Sequence, residues 1–80
     1  MDFGDAIRLA KAGCRIARKG WNGKGMWVKV QIPDANSKMT LPYLYIEYPA
    51  GHPAYTQGSR VPWLASQTDM LSEDWEAVPE

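Results

Sequence analysis

The sequence predicts a small α+β fold. An N-terminal helix packs on a mainly antiparallel sheet of four to five strands, and one short helical turn lies near the C-terminus. Three observations carry this. Phe3, Ala6, Ile7 and Ala10 recur at the spacing of one helix face. Met26, Val28, Val30 and Ile32 alternate with Trp27, Lys29 and Gln31, the period of a strand. Between them stands Asn22-Gly23, a hairpin signal, because both central residues of a type I′ turn need φ > 0.

The elements follow in order. Asp2 is the expected N-cap of the helix, with Asp5 three residues on in a box-like arrangement. Gly13 is the expected stop after Ala12. Residues 14–19 read as a short strand, with Cys14 and Ile16 on one side and Arg15 and Ala17 on the other. Cys14 reads as a small apolar residue rather than a nucleophile. Residues 26–32 form the cleanest strand, and residues 33–38 a turn-rich loop. Residues 40–48 form a third strand, whose Pro42 suggests an edge or a bulge. Tyr43, Tyr45 and Glu47 share one of its faces, and Leu44, Ile46 and Tyr48 the other. Both faces are apolar enough for one to meet another subunit.

Residues 49–59 read as a long loop of the kind that often carries function. Its His52 is expected to face solvent rather than to act in catalysis. Residues 60–65 read as a short strand broken by Pro62. Ser66 and Asp69 form a capping box that opens one helical turn through Leu71. Residues 73–78 close the fold, anchored by Trp75 and Val78.

Eighty residues make one domain, 1–80, with a core of marginal stability. Cys14 and His52 are the only residues of their types, so no disulfide and no Cys/His zinc site is expected. Self-association is the remaining staple. No apolar run approaches membrane-spanning length, and the start does not read as a signal peptide, so a soluble protein in a reducing cytoplasm is expected. Net charge is zero, which argues against broad binding to long nucleic acid or anionic membrane. The charge is segregated, however. Residues 1–38 hold eight of nine basic residues and three acids, and residues 39–80 hold Arg60 and six acids. The preferred reading is that the two halves neutralise each other within one fold. Four Trp and four Tyr stand against a single Phe, a balance that suits interfaces and ligand pockets as well as cores.

The stretch Ala17-Arg18-Lys19-Gly20-Trp21-Asn22-Gly23-Lys24-Gly25-Met26-Trp27 organises the chain. As local chemistry it is a turn, and also a binding lip of free backbone N–H groups, positive charge and flat indoles. Together with Met1-Asp2-Phe3-Gly4-Asp5-Ala6, Val61-Pro62-Trp63-Leu64-Ala65-Ser66-Gln67-Thr68-Asp69-Met70 and Glu73-Asp74-Trp75, it resembles a family of small phage proteins linked to the second type of Thoeris anti-defence. The four blocks keep the family's order and span most of the chain, with residues 33–60 outside the pattern.

The resemblance implies a molecular sponge. Such proteins bind the cyclic ADP-ribose-type signal made by bacterial TIR-domain defence proteins without cleaving it. Some members also capture cyclic oligonucleotides at separate sites. They assemble as homotetramers with pockets where subunits meet, and they act in the host bacterial cytoplasm. No cofactor is implied. Matched to such a ligand, Trp21 and Trp63 are expected to stack the base, and Arg18 with the N–H groups near Gly23 to meet the pyrophosphate. Asn22, Gln67, Thr68 and Asp69 are expected to bond hydroxyls or base edges. Each has a structural alternative. Trp21 covers the hairpin, Trp63 packs the core, Gln67 and Thr68 serve the helical turn, and Arg18 pairs with a C-terminal acid. The competing function is a protein–protein interaction module with a Trp-rich surface. An enzyme is the least supported reading, since no nucleophile motif is present.

Overall fold

The computed structural model describes residues 1–80. Helix α1, Phe3–Lys11, begins where Asp2 accepts the Asp5 N–H at 2.8 Å, satisfying one of the donors that a helix start leaves free. It ends at Gly13, whose φ of 99° is the left-handed turn that a side chain would resist. Strands β1 (Arg15–Arg18), β2 (Trp27–Gln31), β3 (Tyr43–Tyr48) and β4 (Ser59–Pro62) follow as successive antiparallel neighbours. Helix α2, Gln67–Leu71, then leads to β5, Trp75–Val78, which returns beside β1. The sheet order is β4-β3-β2-β1-β5. The class is α+β, as expected.

The core lies between α1 and one sheet face. Ala6 and Ala10 present small side chains, so the helix sits close against Ile16, Val28, Ile46 and Trp75. The register places Ile16 opposite Val28 and Val28 opposite Ile46, so one apolar row crosses three strands. Pro62 belongs to β4 at the sheet edge, where its missing N–H does no harm. Pro42 stands just before β3, an interior strand, so the expected edge or bulge is not found there.

The opposite face has no covering layer. Trp27 is nevertheless buried on it, because the Arg15 guanidinium lies 4.2 Å over its ring and Tyr45 packs edge-on at 5.8 Å. The segregated charges meet across the halves. Arg18 pairs with Asp69 and Asp74, Lys29 with Glu80, and Lys19 approaches Glu76. Self-neutralisation within one fold is therefore what the chain does.

The Asn22-Gly23 turn requires correction. β1 and β2 do form a hairpin, but eight residues, 19–26, join them. No residue other than glycine has positive φ, and within this loop only Gly25 does, at 81°. Asn22-Gly23 is thus no type I′ turn. Long-range bonds from Gly20 and Trp21 spread the loop too wide for a two-residue connection.

Ile16 is fully buried, and truncating such a residue to alanine costs about 2–5 kcal/mol. A chain of this size has roughly 4–12 kcal/mol in total, at 0.05–0.15 per residue. Urea denaturation should show Ile16→Ala losing a large share of stability. Leu64→Ala, at a side chain 91% exposed, should stay within about 0.5 kcal/mol.

Candidate functional site

Two groups of residues form where the loops gather. The first is built on Asp69. The capping box holds this residue at the start of α2, with the Ser66 N–H donating to Oδ2 at 3.1 Å and the Asp69 N–H donating to Ser66 Oγ at 3.0 Å. Asp69 Oδ1 then accepts from Arg18 Nη1 at 2.8 Å and from Trp21 Nε1 at 3.2 Å. Its backbone carbonyl accepts from Trp75 Nε1 at 2.8 Å. Arg18 reaches on to Asp74, whose Oδ1 accepts from Nε at 2.8 Å and whose Oδ2 accepts the Gly20 N–H at 2.8 Å. Trp21, Trp63 and Trp75 pack edge to face in pairs with centroids 5.5–6.3 Å apart. Phe3 joins them from α1, 5.4 Å from Trp75.

The electrostatics follow. Burial pushes the Asp69 carboxyl up, but hydrogen bonds from Arg18, Trp21 and Ser66 together outweigh it and hold it below the usual range. The hydrogen bond from Arg18 lowers Asp74, with further help from the Gly20 N–H. Asp74 and then Asp69 raise Arg18. One guanidinium thus faces two carboxylates, and the cluster carries a net negative charge.

The second group lines a cleft of about 260 Å³ between the 19–26 loop and the loop after β3. Asn22, Gly23 and Lys24 form one wall, and Gly51 and His52 stand on the other. The far wall is firm. The Gly51 N–H donates to the Thr56 carbonyl at 2.9 Å, and the Gly58 N–H to the Tyr55 carbonyl at 2.9 Å. His52 is half-buried, with its ring centroid 5.0 Å from Tyr48 and 5.6 Å from Tyr55. Its Nδ1 accepts the Ala54 N–H at 3.0 Å.

The eight residues singled out in the sequence are therefore divided. Arg18, Trp21, Trp63 and Asp69 gather in the first group. Asn22 and Gly23 line the cleft. Gln67 and Thr68 are exposed on α2, with side chains that make no hydrogen bond in the chain. Sequence reasoning missed Asp74 as a partner of the loop, and it missed the His52 stack. The Tyr48, His52 and Tyr55 spacing carries no periodic signal, since only the turn between them brings the rings together.

Fold and site together define a small α+β domain with a donor-rich loop and a tryptophan cluster at one end of an antiparallel sheet. Comparison with known proteins gives the family. The sequence model of the Thoeris anti-defense 2-like domain matches residues 1–78. Thoeris anti-defense 2 of Bacillus phage SP01 is 34% identical over 86 residues, covering 98% of this chain and 94% of that protein. The chain belongs to the Thoeris anti-defense 2-like family.

The depressed carboxyls set an acid limit. A folded-state pKa below the unfolded value gives stability that is full above the unfolded pKa, about 3.9, and is lost as pH falls through the folded value. Melting temperature should hold steady from neutral pH to about pH 5 and fall below about pH 4. Asp69→Ala should cost about 1.5–3 kcal/mol at pH 7, the range for hydrogen bonds to charged groups, and should flatten the acid fall. Asp5→Ala removes an exposed helix pair and should cost at most about 0.5 kcal/mol.

Proposed function

We propose that the protein is a phage anti-defence sponge, which sequesters a cyclic nucleotide immune signal in the host cytoplasm without cleaving it. Cyclic ADP-ribose isomers of the Thoeris type are the first ligands, and cyclic oligonucleotides a second class. The observation that carries this is family membership across residues 1–78, nearly the whole chain. The site chemistry supports it. Trp21 and Trp63 are half-buried indoles with surface left for a base, and Gln67 and Thr68 have side chains free for hydroxyls. Asn22 and Gly23 stand at a cleft of ligand-fragment size. Arg18 and Asp69 belong to the same proposed site but act on the ligand through Trp21, whose indole Asp69 holds while Arg18 holds Asp69.

Binding without catalysis is supported by how the reactive groups are engaged. His52 Nδ1 is occupied by the Ala54 N–H, and Ser66 Oγ by the Asp69 N–H. No helix is long and apolar enough to cross a membrane, which agrees with action inside the host cell. The working form is a homotetramer. The uncovered sheet face, with Tyr43 and Tyr45, and the exposed Leu41 and Ile32 near its end supply apolar surface for self-contact.

A ligand specific for the folded state stabilises it by about 2.7 kcal/mol at a hundredfold excess over Kd. A domain of this size moves about 4–8 °C per kcal/mol, so a shift well above 5 °C should follow with a cyclic ADP-ribose isomer and none with linear ADP-ribose. Heat denaturation of the complex should return intact ligand. A released cleavage product would contradict sequestration, and an unchanged Tm with every cyclic nucleotide would favour the interaction module. Light scattering should give about four times the 9.0 kDa chain mass, and a stable monomer would remove the proposed assembly.

A further inference from the structure

The positive charge that reads most plainly in the sequence is Arg18, yet the structure makes it a poor anion site. Its donors already serve Asp69 and Asp74, and an incoming phosphate would meet two carboxylates. The cleft beside it differs on each count. None of its lining residues is acidic, and Lys24 is its cation. Lys24 enters none of the chain's ion pairs. The backbone N–H groups of Asn22, Gly23, Lys24 and Gly25 find no acceptor in the chain, and neither does the Asn22 side-chain amide. Three of these four donors belong to residues that line the cleft, Asn22, Gly23 and Lys24, and successive free backbone N–H groups beside a lysine are the kind of donor set that binds phosphate oxygens.

The shape is held in advance. The Asp74 carboxylate fixes Gly20 at one end of the loop. At the other end Gly25 lies against Pro49, where an added Cβ would come within 3.2 Å of the Pro49 ring at a φ of 81°. Across the cleft, an Nδ1 that accepts a hydrogen bond carries no proton, so the His52 proton sits on Nε2. That N–H donates to nothing in the chain and is a further donor for an anion.

We infer that the cleft between the 19–26 and 49–58 loops is a pyrophosphate-recognition site, in which Lys24, Asn22 and the free N–H groups of residues 22–25 take the phosphate oxygens, and that Arg18 does not. As a statement about an immune signal this rests on the sponge reading above. As a statement about anion binding it stands by itself.

Inorganic pyrophosphate is the probe. An NMR titration of the full chain should move the amide signals of Asn22, Gly23, Lys24 and Gly25 first. Lys24→Ala should weaken pyrophosphate binding about tenfold, the effect of losing one good charged contact, with Tm unchanged. Lys38→Ala, in the loop after β2, should leave binding unaltered. Shifts centred on Arg18 and Asp69, or an unchanged affinity in Lys24→Ala, would overturn the cleft. The same variants titrated with a cyclic ADP-ribose isomer separate the two claims. Pyrophosphate bound in the cleft with no cyclic nucleotide bound would leave the anion site standing and remove the sponge. Cyclic nucleotide bound equally by wild type and Lys24→Ala, with the cleft amides unmoved, would do the reverse. No binding of either probe would remove both.

Discussion

The Asp69 carboxylate joins more of this fold than any other group. It starts α2 through Ser66, holds the end of β1 through Arg18 and fixes the 19–26 loop through Trp21. Its own carbonyl receives the Trp75 indole at the start of β5. One residue thus ties together four segments, and Asp74 adds a second tie between β1, the loop and the start of β5. An 80-residue chain has few other ways to do this. Its fully buried residues are mostly small or aliphatic, and the one large exception, Trp75, is itself bonded to Asp69.

That node explains the loop. A two-residue turn at Asn22-Gly23 would keep Trp21 in register on the hairpin. The chain instead draws Trp21 to Asp69 and Gly20 to Asp74, both about fifty residues away in sequence. The hairpin opens, and the N–H groups of residues 22–25 are left without an acceptor in the chain. The same carboxylates that neutralise Arg18 therefore create the free donors next to it. The bonded cluster in one place and the unbonded amides in the other have one cause.

This also marks what the sequence could reveal. The helix stripe from Phe3 to Ala10, the alternation in β2 and the Ser66–Asp69 box are local patterns with local causes, and all three hold. The Asn22-Gly23 reading failed because a local propensity worth a fraction of a kcal/mol met long-range bonds to charged groups worth more. The pairing of Arg18 with Asp69 and Asp74 leaves no spacing to read, although the charge segregation between the halves pointed to pairs of that kind. The two clusters at the loops contain residues from opposite ends of the chain, so motif blocks could not show how those residues divide.

The division has an energetic basis. A group that binds a ligand must gain more from the ligand than from what it leaves. Arg18 would have to give up charge-assisted bonds of 2.8 Å to two partly buried carboxylates, and would leave them unpaired. Asn22, Lys24 and the 22–25 amides leave only water. Association also costs less when the loop is already ordered, because side chains and backbone need not be immobilised on binding. Here the ordering comes from Asp74 at Gly20 and Pro49 at Gly25, both outside the cleft's donor set. The free donors of residues 22–25 therefore lie between two anchored positions, which lowers the ordering cost that an anion bound there would meet.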